Sequence, residues 1–376
     1  MSSYTIDEIF RQPETWRKIP AIAKENAERL RDFLSDFLDV DGQMILAGAG
    51  SSEYIGRTLQ PYISRNGKHA VCVCGTTDIV TFPKSCVSAE RNTLMVSFAR
   101  SGDSPESIGA IRAAEAVSSR LRHLILTCNR NGKLFELGTG NSAYHVIALP
   151  DETNDLGFAM TNSFTSIYLT ALLCLVPEKL SENATAVQDI AEAGERFLGR
   201  DADALVCWAN GCSYNRIVYL GTEALKGLAQ ESALKMLELT RGRTATLYDS
   251  PVGFRHGPKS FVNDETLVVI YLSDDSFVRK YELDLLREMS RERRKNRILV
   301  VSGRPCPEAD TLADYYYCFN NAGSYENGLL APEFLLVAQM LAFNKSLALQ
   351  IDPDNPNPAG TVNRVVQGVT IYPYGG

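Results

Sequence analysis

A repeated alternation of short, wholly apolar segments with longer helical ones restricts the fold of this chain more than any other feature. "QMILAG", "AVCVCG", "NTLMVSF", "HLILTC" and "AYHVIALP" are strand-length runs, rich in β-branched residues and apolar on both faces. Between them lie stretches such as "SPESIGAIRAAEAVSS", in which Ile108, Ala110, Ile111 and Ala114 recur at helical spacing. Strands with two apolar faces must be covered on both sides, which predicts a parallel sheet between helical layers.

The alternation then occurs again. "RIVYLG", "TLVVIYL", "RILVVSG" and "DYYYCFN" read as strands, separated by the helical "TEALKGLAQESALKMLELT" and "SFVRKYELDLLREMSRE" and followed by "APEFLLVAQMLAFNKSLAL". A length of 376 residues accommodates two such α/β units in tandem, each with a ligand site expected at the carboxyl ends of its strands. "SENATAVQDIAEAGERFLGRDADALVCW" is helical in composition, with none of the Gly/Ser richness of a flexible linker. In the final stretch, "DPDNPNPAGTVNRVVQGVTIYPYGG", prolines stop the preceding helix, and "NRVVQGVTIY" predicts a β-like tail lying across the body.

Composition excludes several classes of function. No apolar run approaches the roughly 20 residues of a membrane span, and "MSSYTIDEIFRQPETW" is acidic and polar where a signal peptide would be basic and then apolar. The expected location is the cytoplasm. A net charge of −7 opposes nucleic-acid binding, and the basic run "RERRKNR" reads as a solvated helix end. The nine cysteines are odd in number and scattered through apolar runs, as free thiols are. Cys72 and Cys74 lack the further pair of ligands that tetrahedral zinc needs, so no metal is expected.

Two polar loops follow strands of the first unit. "ILAGAGSSEYIG" places Gly48, Gly50, Ser51 and Ser52 between a strand and a helix, and "VSFARSGDSPES" places Arg100, Ser101, Gly102 and Ser104 likewise, with Pro105 suited to a first helical turn. Neither matches a Walker A or dinucleotide fingerprint. Each alone reads as helix capping, whereas two at corresponding strand ends of one sheet point to a shared monophosphate.

In the second unit, Glu231, Lys235 and Glu238 fall at i, i+4 and i+7 on one helix face. The stripe is either a solvated salt-bridge ladder or a charged group beside the seam formed by Ala233, Leu234, Leu237 and Leu239. His256 follows in "GFRHGPKSF", where glycines and a proline leave two readings open, an incidental bend or a presented imidazole.

"SFARSGDSPES" resembles the phosphate-binding motif of the sugar isomerase (SIS) domain, and the tandem arrangement resembles the isomerase half of glucosamine-6-phosphate synthase. "ARSGDSPES" together with the tail "NPAGTVNRVVQGVTIY" is similar to the tagatose-6-phosphate ketose/aldose isomerase family, members of which act as galactosamine-6-phosphate deaminases. The resemblance implies an α/β fold of two tandem SIS domains, each a mostly parallel sheet flanked by helices in a flavodoxin- or Rossmann-like αβα sandwich. The boundaries it implies are a helical arm at 1–30, a first SIS domain at 31–195, a second at 196–350 and a tail at 351–376.

It also implies roles. Ser51, Ser52, Arg100, Ser101 and Ser104 would bind the substrate phosphate, and Gly50, Thr161, Arg364 and Gln367 would contact the sugar. Glu238 would carry the proton between C2 and C1, His256 would open the ring, Lys235 would stabilise the developing charge and Glu231 would orient Lys235. No cofactor is required.

The implied reaction takes galactosamine 6-phosphate to tagatose 6-phosphate and ammonia. The alternatives are plain ketose/aldose isomerisation, glucosamine-6-phosphate deamination or a related deglycase reaction. A sugar-phosphate sensor would need an upstream basic recognition helix, which residues 1–40 do not offer. This sequence departs from the synthase in having no cysteine at position 2 to take nitrogen from glutamine. It also has Ala99 in place of a loop serine and Gln367 in place of a tail lysine. A homodimer or higher oligomer with a site shared between subunits is further implied.

Overall fold

The computed structural model describes residues 3–35, 37, 42–366 and 368–375. After the helix α1 (Tyr4–Ser35), the first sheet is built from β1 (Gln43–Gly48), β2 (Ala70–Gly75), β3 (Thr93–Ala99), β4 (Leu121–Thr127) and β5 (Tyr144–Ala148). Helices α2 (Ser51–Asn66), α3 (Pro105–Val117) and α4 (Asn162–Leu175) accompany it. All neighbouring strands are parallel, in the order β2-β1-β3-β4-β5.

A second sheet repeats the plan with β6 (Arg216–Leu220), β7 (Ala245–Asp249), β8 (Thr266–Leu272), β9 (Arg297–Ser302) and β10 (Tyr315–Cys318). It is again wholly parallel, in the order β7-β6-β8-β9-β10. Its helices include α5 (Ala224–Leu239), α6 (Ser276–Glu292) and α7 (Asn327–Ala348). The fold is α/β with helix-flanked parallel sheets, as the apolar alternation requires.

Contacts divide the chain into two compact units. One comprises Thr15–Leu156, Met160–Ala184 and Ala359–Gly376 and holds the first sheet, and the other comprises Met1–Glu14, Gly157–Ala159 and Thr185–Pro358 and holds the second. Each has its own core. Ile45, Met95, Ile111 and Ile125 are buried together in the first, and Val218, Val268, Ile270, Leu285 and Val300 in the second. Each such side chain contributes about 1.5–3 kcal/mol on full burial.

In both sheets the strand order reverses direction between the first and third strands, β1/β3 and β6/β8. A crevice opens at such a switch point, outside the carboxyl ends of the strands. Both serine loops leave the sheet there, one after β1 and one after β3.

Two segments depart from the sequence reading. "ATLYD" forms β7, an edge strand with mostly half-exposed residues, so it lacks the two-faced apolar signature of the interior strands. The tail "NRVVQGVTIY" forms no strand among the described residues. It does lie on the first-sheet unit, where the Ile371 side chain abuts Gly109 of α3 so closely that a Cβ there would be 2.7 Å from Ile371 Cγ2.

Candidate active site

The first serine loop turns sharply at Gly50, with φ 56° and ψ −127°, directly before α2. That left-handed backbone favours glycine, and since nothing lies within 4 Å of a Cβ placed there, conformation alone sets the preference. The same geometry recurs before α5, where Glu223 has φ 60° and ψ −122°. The turn presents Ser51 and Ser52 at the start of α2, both buried. Ser52 Oγ donates to Met160 Sδ at 3.7 Å, and Met160 immediately precedes Thr161.

In the second serine loop, Ser104 caps α3 by accepting from Ser107 N at 3.3 Å and pairs with Ser107 Oγ at 2.9 Å. Ser101 Oγ accepts from Asp103 N at 3.3 Å, and Asn129 Nδ2 donates to Ser101 O at 2.8 Å. Both loops lead into helix N-termini, whose first backbone N–H groups lie beside serine hydroxyls, an arrangement suited to a phosphate. Arg100 is buried, and its Nη2 donates to the backbone carbonyl of Arg364 at 3.0 Å.

Thr161 stands at the N-terminus of α4, fully buried, with its hydroxyl unpartnered among the described residues. Arg364 comes from the tail and donates to the carbonyl of Asp155 and, at 3.4 Å, to Asn154 Oδ1. Gln367, expected at the sugar, lies outside the described residues.

Asp155 is a residue the sequence reading missed. Its Oδ2 accepts from Thr161 N at 2.8 Å, Ser163 N at 2.9 Å and Ser163 Oγ at 2.5 Å, so it caps α4. Burial pushes its carboxyl above the ordinary range, opposed by those hydrogen bonds and by the Arg100 charge. The cap comes from six residues before Thr161, across "LGFAM", and therefore leaves no capping signature beside the helix.

In the other unit, the charged stripe is a buried group rather than a solvated ladder. Glu231 and Lys235 are 0% and 1% exposed at their side chains, and Glu238 is 26% exposed. Lys235 Nζ lies 3.3 Å from Glu231 Oε1 and 2.5 Å from Glu238 Oε2. Burial alone would lower the Lys235 pKa, but the two carboxylates outweigh it and hold the ammonium above its ordinary range. Removing a partner from such a buried group leaves an uncompensated charge.

His256 is exposed, in a turn between the short helices Pro251–Phe254 and Pro258–Phe261. Its backbone N–H donates to Gly253 O at 2.9 Å, and among the described residues its imidazole is bonded to none, Glu238 included. Ser250 caps the first helical turn and Phe254 is fully buried. On either side of the imidazole, Arg255 pairs with Asp284 at 3.0 Å and Glu288 at 2.9 Å, while Lys259 pairs with Glu288 and, at 2.5 Å, with Glu292. Both cations thereby fasten the loop to α6. The histidine is presented on an anchored loop.

Among the described residues no group of three His, Cys, Asp or Glu side chains is placed to hold a metal ion, and no helix is long and apolar enough to cross a membrane. The two sets of side chains suit different tasks, one the capture of a phosphate and the other proton transfer by a carboxylate next to a fixed positive charge.

Comparisons with known proteins find relatives over nearly the whole chain. The chain is 38% identical over 379 residues to the D-galactosamine-6-phosphate deaminase AgaS of Escherichia coli, covering 99% of this chain and 96% of that protein. It is 37% identical to the D-galactosamine-6-phosphate deaminase AgaS of Shewanella sp. strain ANA-3, covering 99% and 92% respectively. Among solved structures it matches the tagatose-6-phosphate ketose/aldose isomerase of Escherichia coli with a TM-score of 0.90 and 34% identity, covering 100% and 98%. The C-terminal domain of glucosamine-fructose-6-phosphate aminotransferase from Francisella tularensis shares the fold, with a TM-score of 0.79 at 17% identity over 94% and 98% of the two chains. No family model matches.

Proposed function

The chain belongs to the AgaS D-galactosamine-6-phosphate deaminase family, and we propose that it converts galactosamine 6-phosphate to tagatose 6-phosphate and ammonia. The observation that carries this reading is the buried Glu231–Lys235–Glu238 group with its one partly exposed carboxylate.

Ser51, Ser52, Ser101 and Ser104 take the phosphate, with Gly50 letting the backbone approach and Thr161 reserving its hydroxyl for the sugar. Arg100 adds positive charge beside the second loop, and Arg364 and Gln367 of the tail contact the sugar. His256 moves the proton that opens the ring, exposing the C1 aldehyde. Glu238 removes the C2 proton, giving an enolamine whose charge Lys235 stabilises, and returns the proton to C1. C2 is then an imine, and water replaces its nitrogen, leaving a C2 ketone and free ammonia. Glu231 holds Lys235 in place throughout.

The exposed imidazole supports a homodimer in which His256 serves a neighbouring copy, and the reaction calls for no cofactor. A cytoplasmic location fits the sequence.

A second reading is aldose–ketose isomerisation without loss of nitrogen, which uses the same residues and is favoured by the name of the matching Escherichia coli structure. Supplying galactosamine 6-phosphate and measuring ammonia and tagatose 6-phosphate together separates the two. Equimolar products support deamination. No ammonia, with tagatose 6-phosphate converted to an aldose, supports the second reading.

A further inference from the structure

Asp155 is joined to the second serine loop by more than its helix cap. Its own carbonyl accepts from Arg364 Nη2, and the carbonyl of Arg364 accepts from Arg100 Nη2 at 3.0 Å. Three residues far apart in sequence are thus linked in a chain from the start of α4 to the end of β3, all within the first-sheet unit. Both side-chain charges in it are buried, Asp155 to 1% exposure and Arg100 to 7%.

We infer that Asp155 is a positioning residue of the phosphate site, acting through Arg100, Arg364 and Thr161 rather than by touching substrate. This inference rests on the proposed phosphate role of the serine loops. A cap alone does not require a charge, since a neutral Asn or Ser side chain accepts from helix N–H groups equally well. A buried carboxylate is the costlier choice. Its charge strengthens the bonds that Oδ2 accepts from Thr161 N, Ser163 N and Ser163 Oγ, and the Asp155 carbonyl holds Arg364, whose own carbonyl fixes the direction of Arg100 Nη2.

Asp155→Asn separates the two roles, because the amide oxygen can still cap α4 while the charge is gone. The full-length variant is expected to weaken binding of inorganic phosphate, followed by calorimetry, roughly tenfold, as the charge-assisted bonds that fix Thr161 and Ser163 become neutral ones. KM for galactosamine 6-phosphate should rise by a similar factor with kcat little changed. Asp155→Glu should recover part of the affinity. Arg364→Met should weaken phosphate binding in the same sense and make the tail from residue 359 onward more susceptible to limited proteolysis.

Unchanged phosphate affinity in Asp155→Asn, in a protein that unfolds like wild type, would overturn the inference. A fall in kcat with KM and phosphate affinity unchanged would also overturn it. Because phosphate binding is read directly, failure of the deamination reaction alone would leave the test standing.

Discussion

Lys235 Nζ lies 2.5 Å from Glu238 Oε2 and 3.3 Å from Glu231 Oε1, so one buried ammonium joins a fully buried carboxylate to a partly exposed one. The asymmetry separates the carboxylates by task. Glu231 cannot meet a substrate from its position and serves to hold the lysine. Glu238 reaches solvent while remaining fixed by the lysine, and fixation is what a base needs if it is to deliver a proton to the carbon next to the one it came from.

Glu238→Gln is expected to lower kcat by roughly 10²–10⁴-fold, the usual contribution of a positioned general base. The amide oxygen can still accept from Lys235, so the fold should persist and inhibition by inorganic phosphate should be unchanged. Ammonia release and phosphate competition measured on the same preparation check both parts. Activity near wild type would remove Glu238 from the role of base.

Lys235→Met tests the buried group itself. It leaves Glu231 without its ammonium partner, and breaking a buried pair from one side costs about 3–5 kcal/mol. Glu238→Gln should cost much less, because Glu238 is partly solvated. Urea unfolding of the two variants beside wild type gives the comparison. Equal losses would show that Glu231 does not depend on Lys235.

Gly257 sets the direction of the neighbouring His256. Its φ of 122° is one that a residue with a Cβ adopts only under strain, although nothing lies within 4 Å of that Cβ position. Gly257→Ala is therefore expected to cost about 1–3 kcal/mol through backbone strain alone, and to lower kcat by tilting the imidazole. His256→Asn should leave stability unchanged and slow turnover, with phosphate affinity intact. Thermal unfolding and kinetics distinguish these effects, and normal turnover by His256→Asn would exclude the imidazole from ring opening.

Much of the fold was legible because interior parallel strands carry apolar residues on both faces. β1 and β8 coincide with the runs read from sequence, as does α6 with "SFVRKYELDLLREMSRE". β7 was not legible because "ATLYD" carries Thr246 and Asp249 among its five residues, whereas the equally half-exposed edge strand β2, "AVCVCG", has no polar side chain. At the site, the stripe of Glu231, Lys235 and Glu238 could be read because helical periodicity places all three on one face. What periodicity could not supply was burial, which is what turns a solvated ladder into a constrained group.

The anchoring of the histidine loop was equally hidden. Arg255 and Lys259 find their carboxylates on α6, 29 residues further along in the pairs with Asp284 and Glu288, and no local spacing announces such partners. Asp155 was missed for a related reason, since both its cap and its link to Arg364 depend on tertiary approach.

The last prediction concerns Glu282, a buried carboxyl of α6 outside the reacting group. Its Oε2 accepts from Ser273 N at 2.8 Å, and burial lifts its pKa from 4.5 to about 7. A carboxyl whose pKa is raised on folding favours the native state fully below its unfolded pKa, and loses that contribution as pH rises through the folded value. The window is therefore pH 4.5 to about 7, and the contribution lost across it is roughly 3 kcal/mol, taking about 1.4 kcal/mol for each pKa unit. Glu282→Gln keeps an acceptor for Ser273 N but cannot ionise. Its stability relative to wild type should rise by roughly that amount between pH 4.5 and 8, as read from urea midpoints. Glu333, also fully buried and pushed well above the usual carboxylate range by burial, is present in both proteins and cancels in the difference. Parallel pH profiles for the two proteins would mean that Glu282 ionises in the folded state as it does in the unfolded one.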